Sequence, residues 1–205
     1  MHHVKHALVE HVLAGLRDAA TPPEDFRRLG RRVSYLLISE ATRDLATVEG
    51  SVVTPLETTA VRRLAGPVVA IPVLRAGLGM LEAFLELVPE AQVGYVGLER
   101  DEATAVARRY YEKVPKGIER ATVFLLDPML ATGGSAVMAL QALAELGVRG
   151  VRVLSIVSAP EGIRRLETEV PDAVLYTAAV DRGLDARKFI LPGLGDFGDR
   201  LFGTT

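Results

Sequence analysis

The 205-residue chain contains no cysteine, which excludes disulfides and thiolate metal sites. A reducing, cytoplasmic setting is the simplest expectation. Asparagine is missing as well, and lysine occurs only as Lys5, Lys113, Lys116 and Lys188. So few thermolabile amides fit a thermophile; an Arg-rich, Lys-poor codon bias explains part of the pattern equally well. No apolar run has the length to span a bilayer, because Pro, Gly and charged residues interrupt each one. The opening Met1-His2-His3-Val4-Lys5 lacks the basic-then-apolar order of a secretory signal. A formal net charge of -2 argues against a nucleic acid or an anionic membrane as main partner. A small anionic ligand needs only a local cluster of donors and remains open.

What is present describes a well-cored protein: 49% of residues are hydrophobic against 24% charged. The length suits one domain spanning residues 1–205, with room for an attached arm or hood. Residues 1–60 read as helical. Leu8, Val12 and Leu16, then Leu29, Val33, Leu36 and Leu37, recur at helical spacing, with Thr21-Pro22-Pro23 between them. Thr54–Thr58 reads as a loop or short edge segment. From Pro67 the pattern changes to short β-rich runs alternating with helices. Strands are predicted at Pro67–Leu74, Val93–Leu98, Thr122–Asp127, Val151–Ser158 and Ala173–Val180. Helices are predicted at Met80–Val88, Ser135–Leu146 and Glu161–Glu169, with Gly147 as a C-terminal cap glycine. Apolar strands alternating with helices imply an α/β fold, a mostly parallel sheet (residues 67–180) covered on both faces. Ligands of such sheets bind beyond the carboxyl ends of the strands. The loops 75–79, 99–119, 127–135 and 181–199 are therefore the places to search.

The most informative loop is Asp127-Pro128-Met129-Leu130-Ala131-Thr132-Gly133-Gly134-Ser135. It has the order strand, acid, turn, Thr-Gly-Gly-Ser, helix. Gly133 and Gly134 can adopt positive φ and let the backbone wrap an anion. Free N–H groups at the helix start then point at that anion, helped by the hydroxyls of Thr132 and Ser135. No lysine follows the glycines, so the spacing differs from a P-loop. Asp127 faces the same pocket from the strand end, where a carboxylate can accept hydrogen bonds from sugar hydroxyls. The plainer alternative is a strand–loop–helix turn with a serine N-cap.

Asp127–Ser135 (DPMLATGGS) resembles the phosphoribosyl-diphosphate loop of the uracil phosphoribosyltransferases, in which Asp-Pro replaces the two adjacent acids of other type I phosphoribosyltransferases. Three further blocks match that family in order and spacing: Pro72–Met80 (PVLRAGLGM), Ala159-Pro160-Glu161-Gly162, and Ile190–Asp199 (ILPGLGDFGD). The resemblance implies a type I phosphoribosyltransferase fold with an arm at 99–119 and a base-binding hood at 181–205. It implies transfer of phosphoribosyl from 5-phospho-α-D-ribose 1-diphosphate to uracil, giving UMP and diphosphate in pyrimidine salvage. Arg75 and Arg100 resemble the arginines that bind the donor's diphosphate. Asp127, Pro128, Met129, Leu130, Ala131, Thr132, Gly133, Gly134 and Ser135 correspond to the loop around the ribose 5-phosphate and ribose hydroxyls. Ile190, Gly195, Asp196 and Phe197 sit where the family reads uracil, largely with backbone groups, and Asp196 also lies near the donor. Mg²⁺ arriving with the donor, a GTP effector, and a homodimer or larger homo-oligomer are implied in the same way. Around Tyr110-Tyr111 the chain departs from the family, lacking the proline usual in the preceding arm.

The chemistry implied is displacement at the anomeric carbon with inversion, through a transition state of oxocarbenium character. Arg75, Asp127 and Asp196 are the candidate catalytic residues. Asp196 either helps remove the proton on N1 of the base or only orients groups. Blander readings stand beside these. Asp196 and Asp199 can be turn formers next to glycine, Tyr110-Tyr111 can be packing or base-stacking residues, and His2, His3, His6 and His11 suit solvated or capping roles better than a metal. A nucleotide-sensing RNA regulator would need a basic face. A purine or orotate transferase would need a different hood, and the Gly193–Asp199 tail resembles neither.

Overall fold

A computed structural model describes residues 1–100 and 107–204, with the backbone alone for 98–100, 107–110 and 112. The chain opens with a two-residue strand β1 (His2–His3) and helices α1 (Ala7–Arg17) and α2 (Pro23–Ala41). The His6 ring caps α1 by accepting the Leu8 N–H at 3.1 Å. α2 starts with Pro23 and carries Glu24 and Asp25 in its first turn, where proline's fixed φ and the helix dipole favour them. Val9, Val12, Leu13 and Leu16 of α1 and Phe26, Val33, Leu37 and Ile38 of α2 are buried. Leu8, read above as part of that stripe, is exposed.

The expectation that residues 1–60 are helical fails at its end. Strands β2 (Thr47–Val53) and β3 (Thr58–Leu64) pair antiparallel through Val53↔Thr58. Both are rich in Thr and Val, whose branched Cβ favours extended backbone. Thr54 closes the turn, its Oγ1 accepting the N–H groups of Leu56 and Glu57. Polar residues between these valines blur the period-2 pattern, which is why the hairpin escapes a reading based on apolar spacing.

The remainder is the central layer and its cover. Strand β4 (Val68–Pro72) leads to α3 (Leu78–Leu87), β5 (Gln92–Val93) and the antiparallel pair β6 (Tyr95–Arg100) and β7 (Ala107–Lys113). After a 3-10 turn at Ile118–Arg120 come β8 (Thr122–Leu126), β9 (Met129–Leu130), α4 (Gly134–Glu145), β10 (Arg152–Ser158), α5 (Pro160–Glu169) and β11 (Val174–Val180). The short antiparallel pair β12 (Gly183–Leu184) and β13 (Ile190–Leu191) precedes α6 (Phe197–Phe202). The order β1-β11-β10-β8-β4-β5, with β9 beside β10, makes one sheet in which every pairing is parallel.

Both faces of that sheet are buried, as continuous apolar strands require. In β8, Phe124 and Leu126 join the cluster under α1, α2, α3 and α6, whereas Val123 and Leu125 join the one under α4 and α5. Burying such a side chain contributes roughly 1.5–3 kcal/mol. The predicted strand Val93–Leu98 proves to be two. Gly94 interrupts it; a Cβ there would lie 2.5 Å from Ile71 Cδ1 and 3.2 Å from Val114 Cα, so a side chain at this turn from the main sheet into β6 would force its neighbours to shift. Gly147 has φ 83° and its N–H bonds Ala144 O, the cap expected of it.

Candidate active site

Three loops converge beyond the carboxyl ends of β4, β8 and β11. The loop after β8 is anchored from beneath. The Pro128 carbonyl accepts the N–H groups of Ile156 and Val157, and Leu130 N–H donates to Ser155 Oγ at 3.1 Å. β9 thereby becomes a short strand of the sheet itself. Ala131, Thr132 and Gly133 then rise over α5, where Gly162 allows close contact: a Cβ on it would lie 2.6 Å from Ala131 O. Gly133 has φ 75° and caps α4, so the helix begins at Gly134, one residue before the expected Ser135. The alternative of a serine N-cap is thus not what the chain adopts. The first N–H groups of α4 lack intrahelical acceptors; Gly134 N–H donates to Thr132 Oγ1 at a long 3.4 Å, and Gly133, Gly134 and Ser135 line the cavity in front of the helix.

That cavity has a volume of about 270 Å³. It is lined by Val73, Leu74, Arg75 and Ala76 from the loop after β4, by Asp127, Met129 and Ala131–Ser135, and by Asp196 and Gly198. The structure therefore brings together Arg75, Asp127, Asp196 and most of the predicted phosphate loop. Pro128 and Leu130 belong to that loop but do not line the cavity; both are buried against the sheet. Arg100 ends β6, and its side chain lies outside the described residues, as do residues 101–106 of the arm. Tyr111 is exposed, and nothing is described of the Tyr110 side chain.

Asp127 and Arg75, two of the three charged residues lining the cavity, are prepared differently. Asp127 is 8% exposed, and burial pushes its carboxyl up to about 6. Among the described residues the one hydrogen bond to its carboxyl is a long contact from Met129 N–H at 3.4 Å, which leaves lone pairs there to accept from a ligand. Arg75 is mostly exposed at the mouth and is the only cation among the described residues lining the cavity. Its guanidinium pairs with Asp199 at 3.2 Å and sits 5.8 Å from the Phe202 ring centroid. Asp199 also accepts from Thr204 Oγ1 at 2.7 Å. A role for Asp199 in holding Arg75 was not visible in the sequence, where an Asp beside Gly reads as a turn former.

A second cavity of about 270 Å³ adjoins the first and shares Met129, Ala131 and Asp196 with it. The rest of its lining is Arg187, Lys188, Phe189, Ile190, Gly195 and Phe197. All four predicted base-reading residues are therefore here. The Phe197 ring packs edge-on against Phe26, with centroids 5.1 Å apart, so this position reaches the cavity only at its inner wall. Asp196 Oδ1 caps α6 by accepting the Asp199 N–H at 2.9 Å. Arg187, Lys188 and Phe189 were missed. They form a turn around Asp185, whose Oδ1 accepts the N–H groups of Arg187 and Phe189, and Lys188 there has φ 70°. An Asp heading a short polar run was the available signal.

Known proteins resemble this chain over nearly its full length. The family model described as uracil phosphoribosyltransferase matches residues 3–204. A uracil phosphoribosyltransferase from Thermus thermophilus is 48% identical over 202 residues, 98% of this chain and 97% of that one. A solved structure of a protein from Aquifex aeolicus superposes with a TM-score of 0.94 at 34% identity, covering 99% of this chain and 98% of that one. A hypoxanthine phosphoribosyltransferase from Staphylococcus aureus shares the fold, with a TM-score of 0.51 at 12% identity over 82% of this chain and 86% of that one.

Proposed function

This chain belongs to the uracil phosphoribosyltransferase family, and from that premise we propose how its two adjoining cavities carry out the transfer. The chain is a pentosyltransferase that joins uracil to the phosphoribosyl group of 5-phospho-α-D-ribose 1-diphosphate, releasing UMP and diphosphate in pyrimidine salvage. The observation that carries this reading is the shared wall. Met129, Ala131 and Asp196 border both cavities, so a sugar in one and a base in the other would meet there.

In this reading the N–H groups of Gly133, Gly134 and Ser135 and the hydroxyl of Thr132 hold the 5-phosphate. Asp127 accepts from the ribose hydroxyls. Arg75, joined by Arg100, faces the diphosphate and stabilises the charge that grows on it as the bond to the anomeric carbon breaks. N1 of uracil attacks that carbon from the opposite face, giving inversion. Holding the two reactants in line supplies much of the rate. Mg²⁺ would arrive with the donor, held mainly by its diphosphate and ribose hydroxyls rather than by protein side chains, and the carboxylates of Asp127 and Asp196 in the donor cavity would accept hydrogen bonds from its waters. When bound, the ion would supply charge neutralisation at the leaving group. Ile190, Gly195 and Phe197 present backbone groups to O2, N3–H and O4 of uracil. Cytosine would leave such groups unpaired, at a cost of several kcal/mol.

The decisive assay mixes protein, donor and Mg²⁺ with uracil, cytosine, hypoxanthine or orotate, and follows nucleotide and diphosphate release. Turnover with uracil alone is expected; turnover with a purine or orotate instead would end the proposal. Adding GTP to the same assay tests the effector role. The chain works in this reading as a cytoplasmic homo-oligomer. Among the described residues no helix is long and apolar enough to cross a membrane. The β2–β3 hairpin presents Val48, Val53 and Leu56 to solvent, a surface that a second copy could cover.

A further inference from the structure

The base cavity depends on where the backbone of residues 190–195 lies, and two side chains outside the cavity govern that backbone. Asp181, the residue that follows β11, has a side chain only 5% accessible. Its Oδ1 accepts from Arg17 Nη2 at 2.7 Å, and its Oδ2 accepts from Arg17 Nη1 at 2.8 Å and from Gly193 N–H at 2.8 Å. Arg17 Nη1 also donates to Gly193 O at 2.7 Å. Both polar groups of Gly193 are thus held by one ion pair, the N–H by the carboxylate and the carbonyl by the guanidinium. The position admits no other residue: φ is 60°, and a Cβ would lie 2.2 Å from Ile190 O. On the far side, Arg200 Nη1 donates to Leu194 O at 2.7 Å.

These contacts lie between the base-reading groups. Ile190 precedes Gly193 by three residues, and Gly195 follows by two. Arg17 comes from α1, at the other end of the sequence, and neither Arg17 nor Asp181 lines the base cavity. A planar guanidinium reaching two acceptors at once fixes orientation as well as distance, which a lysine cannot do. We propose that Arg17 and Asp181 are positioning residues for base recognition, setting the Gly193 peptide and through it the spacing of the backbone groups that select uracil. This rests on the reading of the second cavity as the uracil site.

The test compares wild-type protein with Asp181→Asn and Arg17→Lys, with both substrates varied and cytosine as the competing base. Asp181→Asn keeps shape but loses the charge that pairs with Arg17; Arg17→Lys keeps charge but loses the second donor nitrogen and the planar fork that reaches both acceptors. The expected result is a KM for uracil raised about tenfold or more in Asp181→Asn, and by less in Arg17→Lys. The KM for the donor should stay within about twofold, and preference for uracil over cytosine should fall. A purely structural pair would instead lower the melting temperature and shift both KM values together, and that outcome overturns the inference. So does an unmoved uracil KM in either folded variant; should Asp181→Asn fail to fold, Arg17→Lys decides. Wild-type protein that converts no uracil overturns the underlying reading of the site and this inference with it. Wild-type turnover with unmoved variants overturns the inference alone.

Discussion

At the scale of single residues, the site sets Asp127 against the stability of the fold. Burial raises its carboxyl from 3.8 to about 6, so the folded chain holds this proton more tightly than the unfolded chain. Its contribution to stability is complete below about pH 4 and is lost as pH rises through about 6. Asp127→Asn should therefore stabilise the protein at pH 8, by roughly 3 kcal/mol, seen as a higher melting temperature. The same change should weaken donor binding, because an amide offers fewer acceptor sites to ribose hydroxyls. In the unaltered protein the KM for the donor should be flat above pH 7 and rise as pH falls below about 6, where the carboxylate is lost. Arg75 answers to a different measurement. Arg75→Ala should lower turnover at saturating donor by about 10²–10³-fold, since it removes charge stabilisation from the leaving diphosphate; unchanged turnover would end its assignment. Residue types of this kind are legible in a sequence. Their partners are not, and the pairing of Arg75 with Asp199 joins residues far apart in the chain.

At the scale of elements, α5 buttresses the phosphate loop. Gly162 Cα hydrogens take the place where a side chain would meet Leu130 O and Ala131 O at 2.8 and 2.6 Å. Gly162→Ala should cost about 1–3 kcal/mol through overpacking. In kinetics it should raise the KM for the donor more than that for uracil, because the displaced loop belongs mainly to the donor cavity. The block Ala159–Gly162 was conspicuous in the sequence without a stated role; its contact with the loop supplies one. The elements themselves were largely readable because their apolar periods are strong: α3, α4, α5, β4, β8, β10 and β11 lie within two residues of the predicted bounds. The misses have local causes. The β2–β3 hairpin carries its apolar residues at irregular spacing, and β5 and β6 look continuous until Ile71 is seen to crowd Gly94.

For the molecule as a whole, the exposed apolar side chains of the β2–β3 hairpin are the test of assembly. Leu56 is 95% and Val53 82% exposed, unusual for such residues unless another surface covers them. Light scattering should give the protein a mass of at least twice its 22.1 kDa chain. Replacing both residues with lysine should shift the protein toward single chains. The amino-acid sequence alone determined the parallel α/β class, the glycine loop that begins α4 and the residue types of the site, because periodicity, glycine placement and strand-to-loop order are local properties of a chain. Only the tertiary structure decided that Asp196 borders two cavities, that Asp199 holds Arg75, and that Arg17 from the first helix clasps Gly193 through Asp181. Such pairings form between segments that meet only after the sheet and its covering helices have packed, and no spacing along the chain records them.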